Sequence, residues 1–251
     1  MTNSFTNHAA QAAAYVREYL FPAGCPICGT ELLDPKEAWY GICGPCMETL
    51  VMDNGSRCSS CGRPLISEQE QCLQCREGEG GGPGSRAFDG AVSIFPYTGR
   101  YLKLLGAYKF GKNLALANFL AEKIPEALAR LNRNAGETVL VPVPPRPGKI
   151  RKAGWDQVAY LGKILERNAS KTNAYTVYPC LKRLPSKTQK KLDKADRKLN
   201  LRGKILCTRP APREAVLFDD VFTTGATLEA CASALKEAGT EKVWAISLFY
   251  G

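Results

Sequence analysis

The chain of 251 residues carries 34 Lys/Arg against 24 Asp/Glu, a formal charge of +10, with 11 cysteines and one histidine. Its length suffices to bury one large core or two smaller ones. It contains no apolar run near the roughly 18–20 residues that a bilayer demands, and the early patch AAAYVREYLF is interrupted by Arg17 and Glu18, so no membrane insertion and no secretory leader are expected and the reading is of a soluble, cytoplasmic protein. The charge is divided: residues 1–87 hold 6 Lys/Arg against 10 Asp/Glu, and residues 88–251 hold 28 against 14. An acidic module therefore precedes a basic one, and only the basic one suits an anionic partner.

Residues 4–20 read as a short helix stopped by Pro22 and Gly24. Beyond it, eight of the eleven cysteines fall in four pairs, CPIC (25–28), CGPC (43–46), CSSC (58–61) and CLQC (72–75), with 14, 11 and 10 residues between successive pairs. Each pair lets two sulfurs converge on one ion, and two pairs complete a tetrahedron of thiolates. The segment holds few large apolar groups, so metal has to stand in for a core. Two structural zinc ions are predicted. Sequential pairing gives one to Cys25, Cys28, Cys43 and Cys46 and the other to Cys58, Cys61, Cys72 and Cys75; interleaved pairing satisfies the same spacing. A redox CxxC would occur once beside a βαβ unit, and four thiolates leave no open position for hydrolysis. Cys180, Cys207 and Cys231 read as ordinary thiols, and His8 is given no role.

The glycine-rich EGEGGGPGSR (77–86) reads as a linker. It separates a zinc ribbon module with its N-terminal helix (1–80) from a second domain (88–251). In that domain FDGAVSIFPY (88–97) predicts a strand, 101–128 one or two helices, ETVLVPVP (137–144) a buried strand and 156–168 a helix. A polar stretch (182–204) follows, then the strand EAVLFDD (214–220), a helix at 226–238 and the strand VWAISLF (243–249). Strands alternating with helices predict an α/β fold, a parallel sheet with helices on both faces and ligands beyond the carboxyl ends of its strands.

The run VLFDDVFTTGATLEA (216–230) then stands out, because an apolar strand ends in Asp219-Asp220 and passes through TTGAT into a helix. Carboxylates accept well from paired hydroxyls, and a tight glycine turn opening a helix can surround a phosphate with N–H groups. No Lys follows Gly225, which argues against a Walker-type triphosphate site. Such a strand, acid pair and hydroxyl turn resembles the signature of type I phosphoribosyltransferases. The resemblance implies that Asp219 and Asp220, the catalytic candidates, hold the ribose hydroxyls of phosphoribosyl pyrophosphate (PRPP), and that Thr223, Thr224, Gly225, Ala226 and Thr227 surround its 5-phosphate. It also implies a pyrophosphate loop after an early strand. VPVPPRPGKIRKAGWDQ supplies Arg146, Lys149, Arg151 and Lys152 there, suited to bridged phosphates with their magnesium.

FPAGCPICG, AFDGAVSIFPYTG, YKFG (108–111), VPVPPRP with GWDQ, SKTQKKLDKADRKLNLRGK and VLFDDVFTTGATLEACASALKEAG together resemble the ComF (ComFC) family over nearly the whole chain. That family joins an N-terminal zinc ribbon to a phosphoribosyltransferase-like domain, and its members usually show Phe-Asn where Trp155 and Asp156 stand. An acid at 156 either helps hold magnesium or weakens phosphate binding. Residues 182–204 carry ten Lys/Arg against Asp193 and Asp196, and read as a solvated face, an anion-gating lid or a path for single-stranded nucleic acid. Three functions follow from the resemblance. One is a PRPP-binding protein of competence and DNA uptake that handles single-stranded DNA. The second is an active phosphoribosyltransferase acting on a base or amine. The third is a zinc ribbon adaptor for a DNA-translocating helicase.

Overall fold

A computed structural model describes residues 23–52, 55–65, 70–76, 86–133, 138–172, 174–185 and 203–251. The helix expected at 4–20, most of the glycine-rich segment and the interior of the 182–204 stretch lie outside these residues. In chain order the elements are helices α1 (Pro35–Tyr40), α2 (Gly44–Thr49) and α3 (Leu73–Arg76), strand β1 (Gly90–Pro96), and helices α4 (Gly99–Lys109), α5 (Leu116–Glu122) and α6 (Ile124–Arg130). There follow β2 (Val139–Pro142), α7 (Lys149–Ala153), α8 (Gln157–Thr172), β3 (Thr176–Val177), β4 (Leu181–Arg183), β5 (Ile205–Cys207), β6 (Glu214–Phe222), α9 (Ala226–Glu237) and β7 (Lys242–Tyr250).

Two units are distinguished, Met1–Val51 with Gly99–Phe119, and Met52–Thr98 with Leu120–Gly251. The boundary expected within 77–86 falls inside the span of the second. In the first unit Asp34 caps α1 by accepting from the Lys36 and Glu37 N–H groups, and Gly41, at φ 66°, ends it. A Cβ at Gly41 would lie 2.9 Å from Ala115 Cβ, so the loop before the second cysteine pair rests against residues 113–116.

The second unit is built on a five-stranded sheet of order β1-β7-β6-β2-β3, parallel throughout. Strand β6 lies at its centre. Its apolar run Ala215–Phe218 is buried, as expected for a parallel strand covered on both faces. The connection from β2 to β3 steps one way across the sheet and that from β6 to β7 steps the other way. Right-handed crossovers then place α8 and α9 on opposite faces. Their apolar residues recur at helical spacing, Val158, Leu161 and Leu165 on α8 and Leu228, Cys231, Ala232 and Leu235 on α9, and all are buried. Ser93 and Ser247, buried between β1 and β7, satisfy one another through a 2.7 Å hydrogen bond.

The expected α/β sheet is thus present, with local differences. The 101–128 region forms three helices, broken at Lys112 (φ 52°) and reopened by Pro125. The two ends of the basic stretch pair as an antiparallel ribbon, β4 with β5. Strand β6 runs to Phe222, two residues past the acid pair, because Val221 and Phe222 keep their register against Phe249 and Tyr250 of β7.

Candidate functional site

Two cysteine clusters form, and their pairing is sequential: Cys25, Cys28, Cys43 and Cys46 in one, Cys58, Cys61, Cys72 and Cys75 in the other, with the four sulfurs of each within 4.8 Å of one another. Both begin with the same knuckle. The Cys25 N–H donates to the Thr30 carbonyl at 2.8 Å and the Gly29 N–H to the Cys25 carbonyl at 2.8 Å. The Cys58 N–H likewise donates to Arg63 at 2.8 Å and the Gly62 N–H to Cys58 at 2.9 Å. Gly29 (φ 85°) and Gly62 (φ 70°) supply the left-handed turn. A Cβ at Gly62 would fall 2.2 Å from the Ala91 carbonyl oxygen, so the second knuckle lies directly on the backbone of β1.

The thiols are poised unequally. Hydrogen bonds from the Thr30 hydroxyl and amide draw Cys28 down to about 6, whereas burial pushes Cys46 and Cys61 up. Four convergent sulfurs, some already favouring the thiolate, fit a tetrahedral zinc ion that displaces the remaining protons. The two clusters accommodate two structural zinc ions, one in each unit.

The predicted acids sit on β6, the central strand. Successive strand residues face opposite sides, and of the two it is Asp220 that is buried. The Asp220 N–H donates to Asp219 Oδ1 at 2.8 Å. Asp220 Oδ2 accepts a hydrogen bond from Gln157 Nε2. Gln157 Oε1 accepts from Lys149 Nζ at 2.5 Å, and the same ammonium reaches Asp156 Oδ2 at 2.6 Å. Asp156 Oδ1 takes the Val158 and Ala159 N–H groups at 3.1 and 3.0 Å, which makes it the N-cap of α8. This chain of polar contacts, part-buried at Lys149 and buried at Asp220, links the basic turn (α7), the start of α8 and the acid pair.

Asp156 therefore has a role that neither sequence expectation named: it caps a helix and pairs with a lysine. Lys149 is held by it, while Arg146, Arg151 and Lys152 are exposed on the turn, whose helix is bracketed by Gly148 (φ 76°) and Gly154 (φ 78°). After β6, Thr223 is exposed, Thr224 Oγ1 accepts the Ala226 N–H at 3.3 Å, and Gly225 (φ 77°) begins α9, leading to Ala226 and Thr227. Sequence reasoning missed Gln157 and Arg183. Arg183, on β4, is an electrostatic neighbour of Arg146 and Asp219, and its Nε is buried without a hydrogen-bond partner. Burial foremost, then the nearby Arg146, lowers its pKa. No sequence motif distinguishes it from the other nine cations of its stretch. A cavity of about 490 Å³ lies at the other, amino end of β1 and β7, lined by Arg57, Arg130 and Trp244 among others, and contains none of the predicted phosphate or ribose residues.

Residues 16–76 match the model of the double zinc ribbon domain family. Over 211 residues the chain is 27% identical to "Competence protein ComFC" of Bacillus subtilis, covering 83% of this chain and 82% of that protein. It is 24% identical to "Competence protein ComFC" of Streptococcus pneumoniae over 82% of this chain and 86% of the relative. "Competence protein F" of Haemophilus influenzae is 25% identical over 82% and 90%. Over more than four fifths of its length the chain is thus similar to proteins named ComFC or competence protein F. The double zinc ribbon match spans both cysteine clusters. Among the described residues, no helix is long and apolar enough to cross a membrane.

Proposed function

We propose that this chain is a ComF-family protein that binds PRPP with magnesium on the crevice between β2 and β6 and serves competence, in handling incoming single-stranded DNA. One observation carries the reading. Crossovers leave β2 toward one edge of the sheet and β6 toward the other, so the crevice between these strands is the topological switch point where open α/β sheets take ligands. Both predicted loops, 144–152 after β2 and 223–227 after β6, open there. Gln157 hydrogen-bonds across it to Asp220.

In this reading Asp219 and Asp220 accept the ribose 2- and 3-hydroxyls. The Thr223, Thr224 and Thr227 hydroxyls, with the backbone N–H groups around Gly225 and Ala226, take the 5-phosphate at the positive end of α9. Arg146, Arg151 and Lys152 face the pyrophosphate, together with Arg183. Bound magnesium supplies charge neutralisation for the bridged phosphates. The chain's own contribution is to orient the sugar and stabilise the departing pyrophosphate as its bond to C1 breaks and a base or amine attacks that carbon. The relatives are named for competence, and the exposed cations of the turn suit a nucleic-acid backbone as well as a pyrophosphate. A DNA-translocating helicase is the partner suggested for the ribbon.

Calorimetric titration with PRPP and magnesium tests the reading. Wild type is expected to bind, and Asp219→Ala/Asp220→Ala to lose the heat signal. Equal binding by the double variant would overturn the site. Single-strand affinity that falls steeply with salt and survives the double variant would move the function to DNA alone.

A further inference from the structure

The 223–227 loop contains no cation of its own, yet a cation lies against it. Arg86, at the end of the glycine-rich segment, places Nη1 3.0 Å from where a Cβ at Gly225 would stand. The same guanidinium touches the second cysteine cluster, with Nη2 3.9 Å from Cys75 Sγ. It also lies 3.8 Å from Glu229 Oε2, on the first turn of α9. Glu229 is fixed through its other oxygen, which accepts the Ala87 N–H at 2.8 Å, while Oε2 is buried without a hydrogen-bond partner. Arg86 is thus shared among a sulfur, a carboxylate and a glycine turn, with no short contact to either anion. The ring of Phe88 lies 5.6 Å beneath it and limits where it can go.

We propose that Arg86 is the cation of the phosphate subsite and couples it to the second zinc centre. The proposal rests on the sugar-phosphate reading above and adds a residue and a form of regulation to it. A phosphate dianion in the Gly225 turn draws the planar, permanently charged fork of Arg86 into a charge-assisted hydrogen bond, the geometry that guanidinium suits best. The contact to Cys75 fixes the base of that fork, because a zinc-bound thiolate retains negative charge and stays a hydrogen-bond acceptor. Loss of zinc releases the Cys75 segment and with it the arginine. Linkage is reciprocal, so a bound sugar phosphate must also retain the metal.

The test uses the full zinc-loaded chain and ribose 5-phosphate, which carries the phosphate and diol without pyrophosphate. By calorimetry Arg86→Ala is expected to bind it about tenfold to a hundredfold more weakly than wild type, the effect of losing one charge-assisted hydrogen bond. Glu229→Gln removes a competing anion and is expected to tighten binding severalfold. A role in folding alone would not produce the second readout: saturating ribose 5-phosphate slows zinc transfer to a chromophoric chelator in wild type and leaves Arg86→Ala unaffected. If wild type binds ribose 5-phosphate and folded Arg86→Ala binds it within twofold, this proposal fails and the sugar-phosphate site stands. If wild type takes up neither PRPP nor ribose 5-phosphate, both fail. Should Arg86→Ala not fold, unchanged affinity in Glu229→Gln overturns the coupling.

Discussion

Replacing Gln157 by leucine removes two hydrogen bonds at once while nearly preserving volume. One is donated to the buried carboxylate of Asp220 and the other accepted from the ammonium of Lys149. Hydrogen bonds to charged groups contribute about 1.5–3 kcal/mol each, and part of the loss is recovered because Lys149 keeps its 2.6 Å pairing with Asp156. The expected destabilisation is therefore about 2–4 kcal/mol, with a melting temperature lowered by roughly 5–15 °C for a domain of this size. Urea denaturation monitored by circular dichroism measures it as a lower midpoint with an unchanged m-value. Gln157→Glu should be worse at neutral pH, since it sets a second carboxylate against Asp220, and should partly recover in mild acid when the pair shares a proton. A cycle with Asp220→Leu isolates the pair, and the double variant should regain about 1 kcal/mol or more over the sum of the singles. A Gln157→Leu loss below about 0.5 kcal/mol would refute the link from turn to strand.

Further outcomes follow from the same geometry. Gly225→Ala is expected to cost about 2–4 kcal/mol by chemical denaturation, because φ 77° disfavours alanine and the new methyl meets Phe222 Cζ at 2.7 Å. Metal analysis should find two zinc ions per chain, and a chelator should abolish the cooperative thermal transition; one that leaves the melt unchanged would remove the structural role from the clusters. Burial raises Cys180 and Tyr175 to about 12 and also pushes up Cys231. A raised pKa in the folded state makes the native chain hold protons that the unfolded chain releases. Stability is therefore full below about pH 9, the ordinary thiol value, and declines toward 12. Cys231→Ala should shallow that alkaline decline in a pH series of denaturation midpoints.

What the sequence reveals and what it hides separate along physical lines. Four CxxC pairs declare a metal because two sulfurs three residues apart converge on one ion regardless of the surrounding fold. The strands announce themselves through apolar runs, and VLFDD followed by TTGAT places the acid pair and the turn in one contiguous stretch. Gln157 is different: its partner Asp220 is 63 residues away, and only the order of β2 and β6 in the sheet brings them together. From sequence Asp156 reads as either helping to hold magnesium or weakening phosphate binding, because its two nearest uses, the helix cap and the Lys149 pair, depend on where α7 turns. Arg86 read as part of a linker by composition, though its contacts are to Cys75 and Glu229. The grouping of the second cysteine cluster with the sheet is likewise a tertiary fact, set by Gly62 on Ala91.

That last contact bears on how the sheet can be handled in isolation. Among the described residues strand β1 pairs on one side only, with β7, and the CSSC knuckle lies against its backbone. A fragment beginning at residue 88 would keep every strand yet lose that covering, presenting an unprotected row of amides and carbonyls on which further copies can stack. A fragment that retains the knuckle is expected to self-associate less than one that begins at residue 88, a consequence separate from any ligand the protein binds.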